Sequence, residues 1–191
     1  MAAPKILVIP GSLRVGSNSV RLAALAAKEL TVAEAEVTRI SFEDYPLPLF
    51  DGGALVNPPA AAIQLKRMLM AHHGVFIVSP EYTASVPPLL KNAIDWISRV
   101  RERGEDNHAA FKGRVFAIAS ASHAVHGGLR GLMALRQILE LGCGALVVPE
   151  QLAVPNADEA FDDMDNLRDE NLADALKALA RRLAELARVI A

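Results

Sequence analysis

The sequence predicts an α/β fold in which a five-stranded parallel sheet lies between two layers of helices. Short apolar runs rich in β-branched residues, at residues 5–9 and 74–78, are typical of parallel strands buried on both faces. Between such runs, apolar residues recur at helical spacing, as they do in helices that pack on a sheet. The alternation of these two patterns favours consecutive βαβ units within one domain that spans residues 1–191.

The first half of the chain predicts the beginning of this alternation. A strand at residues 5–9 ends where Pro10 and Gly11 interrupt the apolar run. The elements that follow are a helix, an edge-like strand, a helix and a buried strand, at residues 20–30, 36–40, 60–71 and 74–78. A long loop rich in proline and apolar residues occupies residues 45–53, and such loops are more often functional than idle.

The second half of the chain continues the alternation. It predicts a helix, a strand, a helix, a strand and a final amphipathic helix, at residues 88–100, 114–119, 129–141, 145–148 and 166–190. Residues 158–170 are strongly acidic. We interpret them as a solvated loop whose carboxylates precede the last helix, because negative charge is favourable at a helix N-terminus.

Composition narrows the class of protein. Twenty basic and 22 acidic residues give a formal charge of −2, which lacks the basic excess used to bind nucleic acid or anionic membranes. No apolar run approaches the roughly 18 residues that a membrane span needs. The lone cysteine, Cys143, can form no internal disulfide, so we expect a cytoplasmic protein.

Residues 11–19 join the first strand to the first helix. At this position an open α/β sheet presents backbone amides and a helix N-terminus to an anion. Gly11 and Gly16 allow close backbone approach, serines supply hydroxyl donors, and Arg14 supplies positive charge. Neither the Walker phosphate loop nor the Rossmann dinucleotide fingerprint is present. We predict a phosphate site here; the alternative is a polar loop with an N-cap serine and no ligand.

Four segments together resemble the NADPH-dependent FMN reductase family, flavodoxin-like flavoproteins that include quinone, chromate and azo-dye reductases. Residues 11–17 are similar to the family's first signature, and residues 80–96 are similar to its second. Residues 120–130 resemble its third flavin-facing loop, and residues 46–51 resemble its loop after strand two. The resemblance implies a flavodoxin-like three-layer sandwich.

The resemblance also implies a bound FMN, with NADPH or NADH as the electron donor. The first loop would hold the FMN phosphate, and the second would run along the ribityl chain and one isoalloxazine edge, mostly through its main chain. The third loop would flank the other side of the flavin. The residues implied in this way are Ser12, Arg14, Ser17, Asn18, Ser19, Pro80, Glu81, Tyr82, Thr83, Ser120, Ser122 and His123.

The chain departs from the family's pattern at three of its positions. Many members carry asparagine where this chain has Ser19 and Thr83, and an aromatic residue where it has Ala84. Serine and threonine can replace some of the hydrogen bonds of asparagine. The small side chain of Ala84 would widen the pocket over the flavin, so the departures bear on the substrate more than on FMN.

Other residues that could carry chemistry have simpler interpretations. Asn92 and Trp96, one helical turn apart, are expected to pack a helix or contact a second subunit. His123 and His126 lack a third ligand nearby, so we expect loop contacts to flavin or substrate and no metal site. Cys143 is expected to be a small buried residue without a redox role.

The implied activity is NAD(P)H oxidoreduction, in which a ping-pong hydride transfer through FMN passes electrons to quinones or similar acceptors. Chromate, ferric complexes, azo dyes and free flavin are further candidate acceptors. No side chain need act as nucleophile or base, so no catalytic residue is predicted. The alternatives are a flavodoxin-like electron carrier, although such carriers are usually more acidic, and an FMN-free scaffold. The resemblance also implies a homodimer or a homotetramer.

Overall fold

A computed structural model describes residues 2–52 and 57–191. Its strands, all parallel, alternate along the chain with helices that cover both faces of the sheet. The strands are β1 (Lys5–Pro10), β2 (Glu36–Arg39), β3 (Gly74–Val78), β4 (Val115–Ala121), β5 (Leu146–Val147) and β6 (Leu152–Val154). The helices are α1 (Asn18–Val32), α2 (Ala60–Met70), α3 (Pro88–Arg99), α4 (Leu129–Gln137) and α5 (Glu170–Ile190).

The order of the strands in the sheet is β2-β1-β3-β4-β5, and β6 also pairs with β4. β5 lies beside the first residues of β4, whereas β6 lies beside its last residues, Ala119–Ala121. The fifth position of the sheet is therefore filled by two short strands in succession. The prediction of one strand at residues 145–148 covers only the first of them, because the polar stretch around Pro149 separates the two.

The two faces of the sheet carry separate apolar cores, which confirms the predicted three layers. α1 and α5 pack on one face, where residues such as Leu22 and Leu183 are fully buried. α2, α3 and α4 pack on the other, around Leu65, Leu90 and Leu132. β1 and β3 lie between the layers, and apart from the exposed Lys5 their residues are buried, which is why their sequences are apolar without alternation.

Two predicted helices differ from the structure by about one turn at one end. The helix predicted at residues 129–141 is α-helical only to Gln137 and continues as a π-helical turn, Ile138–Gly142. The last helix was predicted from residue 166 but begins at Glu170, because Asp169 caps it by accepting from the amides of Asn171 and Leu172. Among the described residues, no helix is long and apolar enough to cross a bilayer.

Candidate functional site

The loops that follow β1, β3 and β4 meet in one cleft. Because these three strands are parallel neighbours, their carboxyl ends share one edge of the sheet, where open α/β sheets bind ligands. The cleft is lined by Ser12, Arg14, Ser17, Asn18, Ser19, Pro80, Glu81, Tyr82, Ala121, Ser122, His123 and Asp158. Of the predicted site residues, only Thr83 and Ser120 are outside this lining.

The first loop is shaped by hydrogen bonds within it. Ser12 Oγ accepts from the amide of Arg14 at 3.2 Å, and the amide of Ser17 donates to the carbonyl of Arg14 at 3.1 Å. Gly16 has a φ of 69°, a left-handed conformation that glycine adopts without strain. The turn therefore needs glycine at residue 16, and it places the hydroxyls of the loop at the start of α1.

The N-terminus of α1 has free donors. Ser17 is the N-cap, and its Oγ accepts from the amide of Val20 at 3.3 Å. Among the described residues, the amides of Asn18 and Ser19 donate to no protein group. Such amides and the positive end of the helix dipole suit an anion such as a phosphate.

Two opposite charges lie in the same cleft. Arg14 is exposed and forms no ion pair within the described parts of the chain. Asp158 lines the cleft from the segment after β6, and its Oδ1 accepts from Asn18 Nδ2 at 2.8 Å. Asp158 is not among the predicted site residues, because its acidic segment is typical of a solvated loop. The short strand β6 carries this segment to the edge of the sheet where β1, β3 and β4 end.

The second loop makes a tight hairpin after β3. The amides of Tyr82 and Ser85 each donate to the other's carbonyl at 3.0 Å. The two residues between them have positive φ angles, 48° at Thr83 and 59° at Ala84. Tyr82 is half exposed on the cleft, whereas Thr83, also exposed, does not line it.

The side chain of Glu81 is engaged by α4. Oε1 accepts from Nε and Nη2 of Arg130, at 3.0 and 2.5 Å, and Oε2 accepts from the amide of Gly131 at 2.9 Å. Burial alone would raise the pKa of Glu81, but the Gly131 amide and the Arg130 guanidinium outweigh burial and hold this pKa below its usual value. The carboxylate is therefore charged and already fully bonded.

The third loop leaves one buried hydroxyl without a partner. Ser120 is 1% exposed, and its Oγ has no hydrogen-bond partner among the described residues. Ser122 Oγ accepts from the amide of Ala124 at 3.3 Å, and His123 is exposed beside it. A buried hydroxyl without a partner is costly in the free protein and becomes satisfied if a ligand supplies the missing group.

A fourth loop, predicted at residues 45–53, lies against α3. Trp96 Nε1 and Asn92 Nδ2 both donate to the carbonyl of Pro48, at 2.7 and 3.0 Å, and the amide of Phe50 donates to Asn92 Oδ1 at 2.8 Å. Asn92 and Trp96 thus anchor this loop, which agrees with the packing role expected for them. Gly53, the last residue of the predicted loop, lies outside the described residues.

The chemistry of these groups fits FMN. The free amides of α1, the serine hydroxyls and Arg14 form a donor set for a phosphate dianion. The loops after β3 and β4 supply polar groups on either side of the same cleft, among them Tyr82 and Ser122. The unpartnered hydroxyl of Ser120 is buried behind this lining, near the end of β4. Within the described parts of the chain, no three histidine, cysteine or acidic side chains come together as a metal site.

Comparison with known proteins identifies the family. Residues 4–159 match the family model described as NADPH-dependent FMN reductase. The chain belongs to the NADPH-dependent FMN reductase family. The resemblance found in its motifs is thereby confirmed, and so is the enzyme class: an oxidoreductase with FMN as cofactor and NAD(P)H as electron donor.

Relatives of this FMN reductase family match most of the chain. A quinone reductase of Escherichia coli (strain K12) is 37% identical over 136 residues, which are 71% of this chain and 69% of the relative. An NAD(P)H-dependent FMN reductase of Pseudomonas aeruginosa is 34% identical over 178 residues, 91% of this chain and 89% of the relative.

Solved structures agree with the flavodoxin-like fold. A flavoenzyme NAD(P)H:(acceptor) oxidoreductase from Paracoccus denitrificans superposes with a TM-score of 0.78 at 25% identity and covers 98% of both chains. An oxidoreductase from Corynebacterium diphtheriae superposes with a TM-score of 0.68 at 18% identity, over 99% of both chains. The predicted fold class is therefore confirmed.

Proposed function

We propose that the cleft is the FMN site and that the first loop holds the FMN phosphate. The observation that carries the proposal is the convergence of the predicted residues of three separate loops on one cleft. Ser12, Ser17 and Ser19 would donate hydroxyl hydrogen bonds, Arg14 would supply charge, and the first amides of α1 would complete the donor set.

In this proposal FMN supplies the redox chemistry, since it accepts electrons from NAD(P)H and delivers them to a second substrate. The residues of the chain bind and orient the cofactor. The loop after β3, with Tyr82 at its rim, and the loop after β4, with Ser122 and His123, would flank the flavin on two sides. None of these roles requires a side chain that gains or loses a proton.

We further propose that quinones or similar acceptors take the electrons. Relatives at 37% and 36% identity are named quinone reductase and 2-hydroxy-1,4-benzoquinone reductase, which favours this acceptor class. The cleft has a volume of ≈ 160 Å³, below the roughly 300–1,000 Å³ of pockets that enclose a drug-sized ligand. A flavin held there would stay partly exposed, so donor and acceptor would use the same open side in turn, an arrangement that suits ping-pong kinetics. Chromate, ferric complexes, azo dyes and free flavin remain candidates.

The purified protein, reconstituted with FMN, tests this proposal directly. Under anaerobic conditions, NADPH should bleach the flavin absorbance, and 1,4-benzoquinone should restore it. Initial rates measured against NADPH concentration, at several fixed quinone concentrations, should give parallel double-reciprocal lines. Flavin bands that NADPH and NADH both leave unchanged would contradict the proposal and would favour an electron carrier reduced by a protein partner.

Two further properties belong to the proposal. We place the enzyme in the cytoplasm, because its lone cysteine is buried and makes no disulfide. Cell fractionation tests this location.

We also propose a homodimer or a homotetramer. Apolar side chains that are exposed on α4 or just before it support an oligomer, namely Val125, Leu129 and Met133. Light scattering on an eluting size-exclusion peak gives the mass, and a mass of 20.4 kDa would contradict an oligomer.

A further inference from the structure

The hairpin beside the cleft is held in a strained conformation. Positive φ angles at both central residues, Thr83 and Ala84, define a type I′ turn, for which Asn-Gly is strongly preferred. A β-branched residue is an outlier in this region of backbone conformation, and alanine is also disfavoured there. Such strain persists only where the surrounding structure over-determines it.

Glu81, which immediately precedes the hairpin, supplies one contact that holds the turn in place. Its side chain is 5% exposed, and its two oxygens divide their partners between the Arg130 guanidinium and the Gly131 amide. Both partners are in the first turn of α4, whose N-cap, Gly128, has no side chain to cap the helix. Glu81 therefore does two things at once: it caps α4 and attaches the hairpin to it.

The hairpin and α4 also lie in direct contact. A Cβ at Gly131 would come within 3.2 Å of the carbonyl oxygen of Ser85 and within 3.3 Å of the Cβ of Glu81. The start and the end of the hairpin thus rest on the same glycine. With its Cβ this close to α4, Glu81 makes three direct hydrogen bonds to the helix, two from Arg130 and one from the amide of Gly131.

We propose that Glu81 is a positioning residue of the flavin site. Its carboxylate, fixed by Arg130 and Gly131, keeps the strained Tyr82–Ser85 turn in the shape that receives FMN. A preformed loop binds with less ordering cost than a loop that must first be organised. Without the carboxylate, the turn relaxes and FMN binds more weakly. This inference rests on the proposed flavin site.

The test compares Glu81→Ala with the double variant Glu81→Ala/Ala84→Gly. We expect Glu81→Ala to raise the Kd of FMN by about tenfold, measured from the quenching of FMN fluorescence on titration with apoprotein. Glycine at residue 84 removes the strain at one of the two central residues, so the turn should form more readily without the clamp, while the strain at Thr83 remains. The double variant should therefore regain part of the affinity, although it cannot restore the cap of α4.

A matched control is Glu140→Gln. Glu140 pairs with Arg136 on α4 at 2.9 Å but contacts neither the hairpin nor the cleft, so the Kd of FMN should stay the same. If Glu81→Ala does not fold, Arg130→Met replaces it, because Arg130 is half exposed and its loss removes one arm of the clamp. We expect Arg130→Met to raise the Kd of FMN by about threefold, and we expect the addition of Ala84→Gly to lower it again.

The outcomes separate this inference from the flavin site on which it rests. A loss of affinity in Glu81→Ala that Ala84→Gly reverses in part supports the positioning role. A loss that Ala84→Gly leaves in place contradicts it, because the effect then comes from the lost cap of α4. If Glu81→Ala binds FMN normally while Arg14→Ala binds it weakly, only the positioning role fails. If neither variant changes the Kd, the proposed flavin site fails as well.

Discussion

Asn18 Nδ2 donates a 2.8 Å hydrogen bond to Asp158 Oδ1 at the rim of the cleft. The two residues are far apart in the chain and meet because α1 and the segment after β6 both begin at the same edge of the sheet. The bond places a carboxylate beside the amides of α1 that we assign to the FMN phosphate. In the proposed site, this carboxylate would place a negative charge near the phosphate and oppose its binding.

Removal of this charge should tighten FMN binding. At a separation of about 6 Å in a water-like medium, repulsion between a carboxylate and a phosphate dianion is on the order of 1 kcal/mol. We expect Asp158→Asn to lower the Kd of FMN by about fivefold at low salt, and the gain should shrink as salt is added. Riboflavin, which lacks the phosphate, should bind the wild type and Asp158→Asn equally. As a second control, changing the exposed Asp163 to asparagine should leave the Kd of FMN unchanged. Equal FMN affinity in Asp158→Asn would place the phosphate elsewhere.

Loss of Arg14 should have the opposite effect. A charge-assisted hydrogen bond contributes about 1.5–3 kcal/mol, so Arg14→Ala should raise the Kd of FMN by roughly ten- to a hundredfold. Lys28, an exposed base near the far end of α1, serves as the control, since Lys28→Ala removes the same charge at a distance from the cleft. Fluorescence titration measures both. If Arg14→Ala and Lys28→Ala raise the Kd by the same small factor, Arg14 acts only through the overall charge of the protein and makes no direct contact with the phosphate.

Ser120→Ala should change the free protein and the complex in opposite directions. The buried Oγ has no partner among the described residues, so its removal should raise the free energy of unfolding of the apoprotein by about 1 kcal/mol in urea. If FMN supplies the missing partner, the same variant should weaken FMN binding by about fivefold. If the substitution destabilises the apoprotein, the hydroxyl is already hydrogen-bonded in the free protein. If the Kd of FMN equals that of the wild type, Ser120 does not belong to the flavin site.

The pKa of Glu81 predicts how the apoprotein responds to acid. This pKa is lower in the folded protein than its usual 4.5, so the charged carboxylate stabilises the fold above that pH. The contribution is lost as the pH falls from 4.5 through the lower folded value. The difference in unfolding free energy between wild type and Glu81→Gln should therefore be constant near neutral pH and shrink below pH 4.5, as measured by urea unfolding. A difference that does not change with pH would contradict a charged clamp.

The buried strands could be predicted from the sequence because burial on both faces leaves only apolar residues, as in β1 and β3. β6 could not, since Leu152–Val154 is too short for any periodicity to register. The end of the α-helical geometry at Gln137 also left no signal, because a π-helical turn keeps the same kinds of residue on its buried side. The bounds of α5 depended on a cap, Asp169, within a run of several acidic candidates.

The site was predictable to the extent that loops at the ends of neighbouring parallel strands must converge. What the sequence could not show is where side chains go after the loops converge. Glu81 lines the cleft, yet its carboxylate bonds to α4, and no pattern in the sequence joins residue 81 to residue 131. Asp158 was overlooked for a related reason, since its place at the cleft depends on the unrecognised strand β6.

The interruption of the sheet at its β5–β6 side has a consequence for how the protein behaves in solution. An exposed strand edge can recruit a strand from another chain, and long regular edges are the most prone to do so. Here one edge is two short pieces separated at Pro149, where Arg136 bonds the carbonyls of Val148 and Pro149, and the other, β2, has only four residues. Neither edge offers a long template, so the folded protein should resist aggregation through strand addition even at high concentration.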